Sequence, residues 1–204
     1  MRNIHVMLHK ALSDAAAWGY VRQNPAEHAK SPRVGRRRPA VWSVDELARF
    51  LTGQRQDRFY ALYLLAATTG MRRSELCGLR WAALDLDEGT VALTDTRVVV
   101  RGYATDSDGK TDDSIRKLAL DPATVAALKE HRGRHEEERA LFGAGYLGGD
   151  YVFRWEDGRP VHPDVIRQRF NRAVARLGLP RIRLHDMRHT YATAALRRAS
   201  HPRS

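Results

Sequence analysis

The chain is poor in several things, and each shortage excludes something. Cys77 is the only cysteine in 204 residues, which rules out an internal disulfide and a cysteine-based zinc set. No apolar run approaches the roughly 18 residues that a membrane span needs. The N-terminus lacks the apolar core of a signal peptide. Acidic residues are scarce beside basic ones, 24 Asp and Glu against 35 Lys and Arg, giving a net charge of +11. Such an excess calls for a polyanionic partner, nucleic acid first and an anionic membrane surface second. The cytoplasm is the compartment these features fit. A chain this long, 43% hydrophobic, can bury a core of one full domain plus a piece of another.

Residues 4–18 repeat Ile4, Met7, Leu8, Ala11, Leu12, Ala15 and Trp18 at helical spacing. Gly19 closes this helix, and Asn24-Pro25 marks a turn. The helix starts without a cap or a partner, like the last helix of a domain whose beginning is missing. A stretch from Lys30 to Pro39 follows, with five positive charges in ten residues. It reads as an extended basic linker, in which Arg36, Arg37 and Arg38 track a phosphate backbone or simply sit in solvent. Residues 1–38 carry eight basic and two acidic side chains, or +6 of the total.

Trp42-Ser43-Val44-Asp45-Glu46 predicts a capping box with a hydrophobic staple. A helix from about Arg58 to Ala67 is apolar nearly all round, as a central core helix would be. Thr69-Gly70 ends it, and a short helix resumes at Arg72. The period then changes. Residues 90–93, 97–100 and 114–120 alternate like strands, with a turn-rich stretch at 105–111 that would present Lys110 on a hairpin. Asp121-Pro122 caps a helix to about Arg139, whose Glu136-Glu137-Glu138 run reads as solvated. Pro163 starts another, with Val165, Ile166, Phe170, Val174 and Leu177 inward.

The last motif, Leu184-His185-Asp186-Met187-Arg188-His189-Thr190-Tyr191, opens a helix on which His185, Arg188 and His189 share a face. Such a face is also what a solvated helix shows, and a histidine–aspartate metal site would need partners that nothing in the chain places. Arg72 sits just past a helix break, with Glu75 three residues on. Two guanidinium forks can clamp one phosphodiester bidentately. A hairpin lysine can protonate a leaving oxygen, and a histidine can add hydrogen bonding or proton transfer. Preset donors of this kind stabilise charge on a pentacoordinate phosphorus without a metal or any other cofactor.

With these pieces the sequence resembles a tyrosine recombinase of the phage-integrase family. The resemblance rests on Thr-Gly-x-Arg-x-x-Glu-Leu at 69–76 with Gly78-Leu79-Arg80-Trp81, on Gly109-Lys110-Thr111 with Arg116 and Leu120, and on His-Asp-x-Arg-His-Thr at 185–190. Trp42-Ser43 and Glu46-Leu47 resemble the entry to that family's catalytic domain, and Asn24-Pro25 the end of its core-binding domain. The implied fold is α+β, mainly helical with a small antiparallel sheet. The implied domains are a core-binding remnant at 1–30, a basic linker at 31–41 and an incomplete catalytic domain at 42–204.

By the same resemblance Arg72 and Arg188 are the catalytic arginines, Lys110 the hairpin lysine, His185 the first catalytic histidine and Glu75 the carboxylate bracing Arg72. His189 is left structural, and Arg73 and Arg80 are expected to meet solvent or backbone phosphate. The family pattern runs on to a second His or Trp and a nucleophilic tyrosine. Neither has a counterpart in Leu196–Ser204, which is basic and lacks apolar spacing. The expectation is therefore an integrase fragment on double-stranded DNA at the nucleoid, inactive alone. It either pairs with a second copy or an intact integrase, or competes with one as a DNA-binding remnant.

Overall fold

The computed structural model describes residues 2–29, 40–93, 95–100, 103–108, 116–187 and 189–190. The chain divides into two units, Met1–Arg38 and Pro39–Ser204.

In the first unit helix α1 spans Arg2–Ala17. Asn24 folds the following turn back onto it, its amide donating to the His9 carbonyl at 3.1 Å and to Ser13 Oγ at 2.8 Å. The Asn24 side-chain oxygen meanwhile accepts from the Ala26 N–H. One asparagine thus makes the turn that Asn24-Pro25 announces.

The second unit begins with the capping box. Glu46 N–H donates to Ser43 Oγ at 3.1 Å, and the Glu46 carboxylate accepts from Ser43 N–H at 2.7 Å. This starts α2, Val44–Gly53, and Trp42 packs on Phe50 with ring centroids 5.1 Å apart. Helix α3, Tyr60–Thr69, is buried from Ala61 to Ala67 and packs against α2, α4 (Arg73–Gly78) and α5 (Pro122–Phe142). Phe50, Tyr63 and Phe170 meet edge-on or tilted at 5.2–6.2 Å, so aromatic rings from α2, α3 and α6 (Pro163–Arg176) form the centre of the core. Gly70, at φ 68°, returns its N–H to the Ala66 carbonyl and ends α3 in the left-handed conformation that glycine adopts without strain. Helix α4 follows at Arg73–Gly78.

The strands differ from the sequence reading. A three-stranded antiparallel sheet runs β1 (Leu84–Asp85), β2 (Thr90–Leu93), β5 (Arg116–Ala119), with Val91 opposite Leu118. Separately, β3 (Asp95–Val100) pairs with β4 (Tyr103–Asp108), Asp95 opposite Asp108, and β3 runs beside α4. The stretch 105–108, expected as turn, is strand. Its Asp and Ser residues are poor strand formers, and pairing with a Val-rich neighbour overrides them. Strand 97–100 does not flank a hairpin with 114–120, because β5 returns to β2 instead.

Helix α5, Pro122–Phe142, is capped by Asp121 as its sequence indicates. Its acidic run is not wholly solvated. Glu138 is half-buried and takes a two-pronged ion pair from Arg58, the nearer contact at 2.5 Å. Burial works against the Arg58 charge, but the Glu138 carboxylate outweighs it and raises its pKa. No helix among the described residues is long and apolar enough to cross a membrane.

Candidate phosphate-binding site

The end of α3 positions the first motif. Thr69 Oγ1 donates to the Leu65 carbonyl at 2.6 Å and accepts from Met71 N–H at 3.3 Å. Met71 is buried, which anchors the chain as it reverses. Arg72 is then extended, at φ −71° and ψ 153°, and stands as the cap of α4. Glu75 reaches back to it. Its carboxylate accepts the Arg72 backbone N–H at 2.6 Å and Arg72 Nη1 at 3.1 Å. This is one arm of a capping box. A guanidinium cannot accept, so the reciprocal arm is missing. The side chain of Glu75 is 8% exposed and that of Arg72 71%. The buried carboxylate holds the root and one fork nitrogen of an arginine that otherwise stays in solvent.

The neighbouring arginines have partners within the chain. Arg73 pairs with Asp164 at 3.3 Å, tying α4 to the start of α6. Arg80 lies over the Tyr151 ring, 4.5 Å from its centroid, and donates to its hydroxyl.

The last motif is reached through an extended stretch, Leu179 to Leu184. Trp42 Nε1 donates to the Pro180 carbonyl at 2.8 Å, while Leu179, Ile182 and Leu184 enter the core. Leu184–Asp186 form a 3-10 turn, and helical residues follow at 187, 189 and 190. His185 and His189 are half-buried on one face, ring centroids 6.4 Å apart. Met187 is fully buried behind them.

Here the structure shows a pair that the sequence reading passed over. Asp186 accepts the Arg183 backbone N–H at 3.0 Å, Nε at 2.9 Å and Nη2 at 2.8 Å. Its side chain is 5% exposed and that of Arg183 76%. The Arg183 guanidinium holds the Asp186 carboxyl below the usual carboxylate range, against the opposing effect of burial. The signal was available: Arg-x-x-Asp has the same spacing as Arg72-x-x-Glu75. Of the other expected site residues, Lys110, Arg188, Arg36, Arg37 and Arg38 lie outside the described residues, as does Tyr191. Among the described residues no group of three or more His, Cys, Asp or Glu could hold a metal ion.

Residues 43–203 match the model of the phage integrase family. The chain belongs to that family. It is 29% identical over 200 residues to a XerC-like tyrosine recombinase of Caldanaerobacter subterraneus subsp. tengcongensis, covering 88% of this chain and 51% of the relative. It is 24% identical over 193 residues to the ICEBs1 integrase of Bacillus subtilis, covering 94% of this chain and 52% of that one. The chain therefore spans about half the length of these integrase relatives.

Among solved structures it superposes on the Tn1549 transposon integrase in complex with a circular intermediate DNA. The TM-score is 0.78 at 20% identity, over 99% of this chain and 67% of that one. Against lambda integrase bound to DNA the TM-score is 0.63 at 18% identity, over 98% of this chain and 65% of that one. At these identities the likeness establishes the fold, which is the mainly helical integrase fold with its small antiparallel sheet.

Proposed function

We propose that this integrase-family chain binds duplex DNA through its phosphates and carries the phosphate-holding part of a strand-transfer site. The carrying observation is Arg72, an exposed guanidinium rooted on the buried Glu75 carboxylate at the motif that defines the resemblance. In this reading Arg72 and Arg188 clamp one phosphodiester, Lys110 protonates the leaving oxygen, and His185 adds a hydrogen bond or moves a proton. In the same reading Arg36, Arg37 and Arg38 contact the DNA backbone. The DNA complexes among the structural neighbours support a DNA partner. DNA binding would place the chain at the nucleoid.

Strand transfer through a phosphotyrosine needs a hydroxyl in line with the phosphorus. Four tyrosines of the second unit are otherwise occupied. Tyr63 is buried in the core, Tyr60 lies under Arg55, Tyr151 under Arg80 and Tyr146 under Arg154. We therefore expect these 204 residues alone to form no covalent adduct with a nicked DNA substrate that traps such intermediates, read on a denaturing gel. An adduct lost in Tyr191→Phe overturns that expectation. One that forms only when a full-length relative is added shows the tyrosine arriving from a partner.

A further inference from the structure

The Arg183–Asp186 turn has no part in the site as drawn so far, and its geometry is that of Arg72–Glu75. In both, an extended arginine precedes a short helical turn, and the carboxylate three residues later binds its backbone N–H and its guanidinium. We propose that Arg183 is a further phosphate-contacting residue, its guanidinium presented to the DNA backbone beside His185 by the buried carboxylate of Asp186. The proposal rests on the DNA-binding reading above.

A third ion pair in the same unit shows what a purely structural one looks like. Arg58 and Glu138 hide together, at 11% and 12% side-chain exposure. Arg183–Asp186 and Arg72–Glu75 bury only the acid. Compensating a buried carboxylate does not require an arginine three-quarters in solvent, since the Arg183 N–H already serves Asp186 and a covered guanidinium would serve it better. Arg183 gives Nε and one N–H of Nη2 to Asp186, and the outer N–H groups of its fork stay available to an acceptor. Phosphate oxygens match that edge bidentately.

The surroundings carry the same sign. Alternation along the extended stretch puts Ile182 and Leu184 inward and Arg181 and Arg183 outward. From Val165 to Arg183 there are six arginines and no acidic residue, and of the six Arg167 pairs with Asp164 and Arg169 with Asp57. Among the described residues Arg181 makes no ion pair. Arg181 and Arg183, both exposed next to a motif that resembles a phosphate site, suit a polyanion.

The test is the salt dependence of binding to a labelled duplex of arbitrary sequence, followed by fluorescence anisotropy from about 50 to 200 mM salt. The double variant Arg183→Ala/Asp186→Asn leaves the net charge unchanged and removes the buried carboxylate charge together with its partner. It is expected to make the slope of log K against log salt shallower by about 0.9, one phosphate contact. Arg183→Gln, which keeps a donor for Asp186, is expected to lose the same amount and serves should the double variant not fold. An unchanged slope in the folded variants overturns the proposal, and a shallower slope in Arg72→Gln then leaves the DNA-binding reading standing. Absence of salt-dependent binding by the unaltered chain removes both.

Discussion

Two histidine pairs sit four residues apart on helical turns of this protein, and they live in opposite surroundings. His131 and His135 on α5 are buried, their ring centroids 4.2 Å apart, packed against Trp81, with Phe153 against His131. His131 donates Nε2–H to the Val152 carbonyl at 2.7 Å, while neither ring nitrogen of His135 has a hydrogen-bond partner among the described residues. His185 and His189 are half-buried, more widely spaced and nearly perpendicular. Spacing places each pair on one face and does no more. What surrounds the ring decides whether it can take a proton. Burial pushes His131 down to about 4 and His135 to about 2, with nearby arginines adding to the effect.

The comparison is sharpest in stability. His131→Ala removes a buried ring and leaves the Val152 carbonyl without its donor, so it should cost about 3–5 kcal/mol in urea unfolding. A loss below about 1 kcal/mol would mean that the pair is not part of the core.

Acid should act on the same pair. Unfolded, both rings titrate near 6.5. Folded, they resist protonation until about 4 and about 2. Below pH 6.5 the unfolded chain therefore binds protons that the folded chain refuses. Stability is full above that pH and falls as pH drops, by about 1.4 kcal/mol per unit for each ring. Urea midpoints between pH 7 and 5 would show this, and His135→Leu should remove about half of the slope. A flat profile would place both rings in water. The smallest expected effect is at the other pair: His185→Ala should change stability by about 1 kcal/mol or less, with any larger consequence appearing in DNA binding.

Legibility followed distance along the chain. The capping box at Ser43, the glycine stop at Gly70 and the Asp121-Pro122 helix start could be read because each signal and its partner lie within a few residues. Glu138 could not. Its run of acids reads as solvated until Arg58, eighty residues earlier, is brought against it. The pairing of β4 with β3 was missed although the two strands are neighbours in the chain, since local composition at 105–108 favours a turn and only the partner strand makes it extended. Arg72 and His185 stood out because their motifs resemble a known family. Asp186 lay inside one of those motifs, but its role appears only when the Arg183 fork is seen closing on it, although the three-residue spacing was there to read.

The hydrogen bond from Trp42 to the Pro180 carbonyl joins residues 138 apart in sequence, and this sets an order of events. The indole at the head of α2 has no acceptor until the segment leading to His185 exists. On a ribosome adding about 5–20 residues per second, Trp42 waits on the order of ten seconds for its partner. During that interval α2 and α3 can already have met through Phe50 and Tyr63. The loop that Trp42 closes is therefore late and long, and the approach to His185 should be among the last parts of the unit to become fixed.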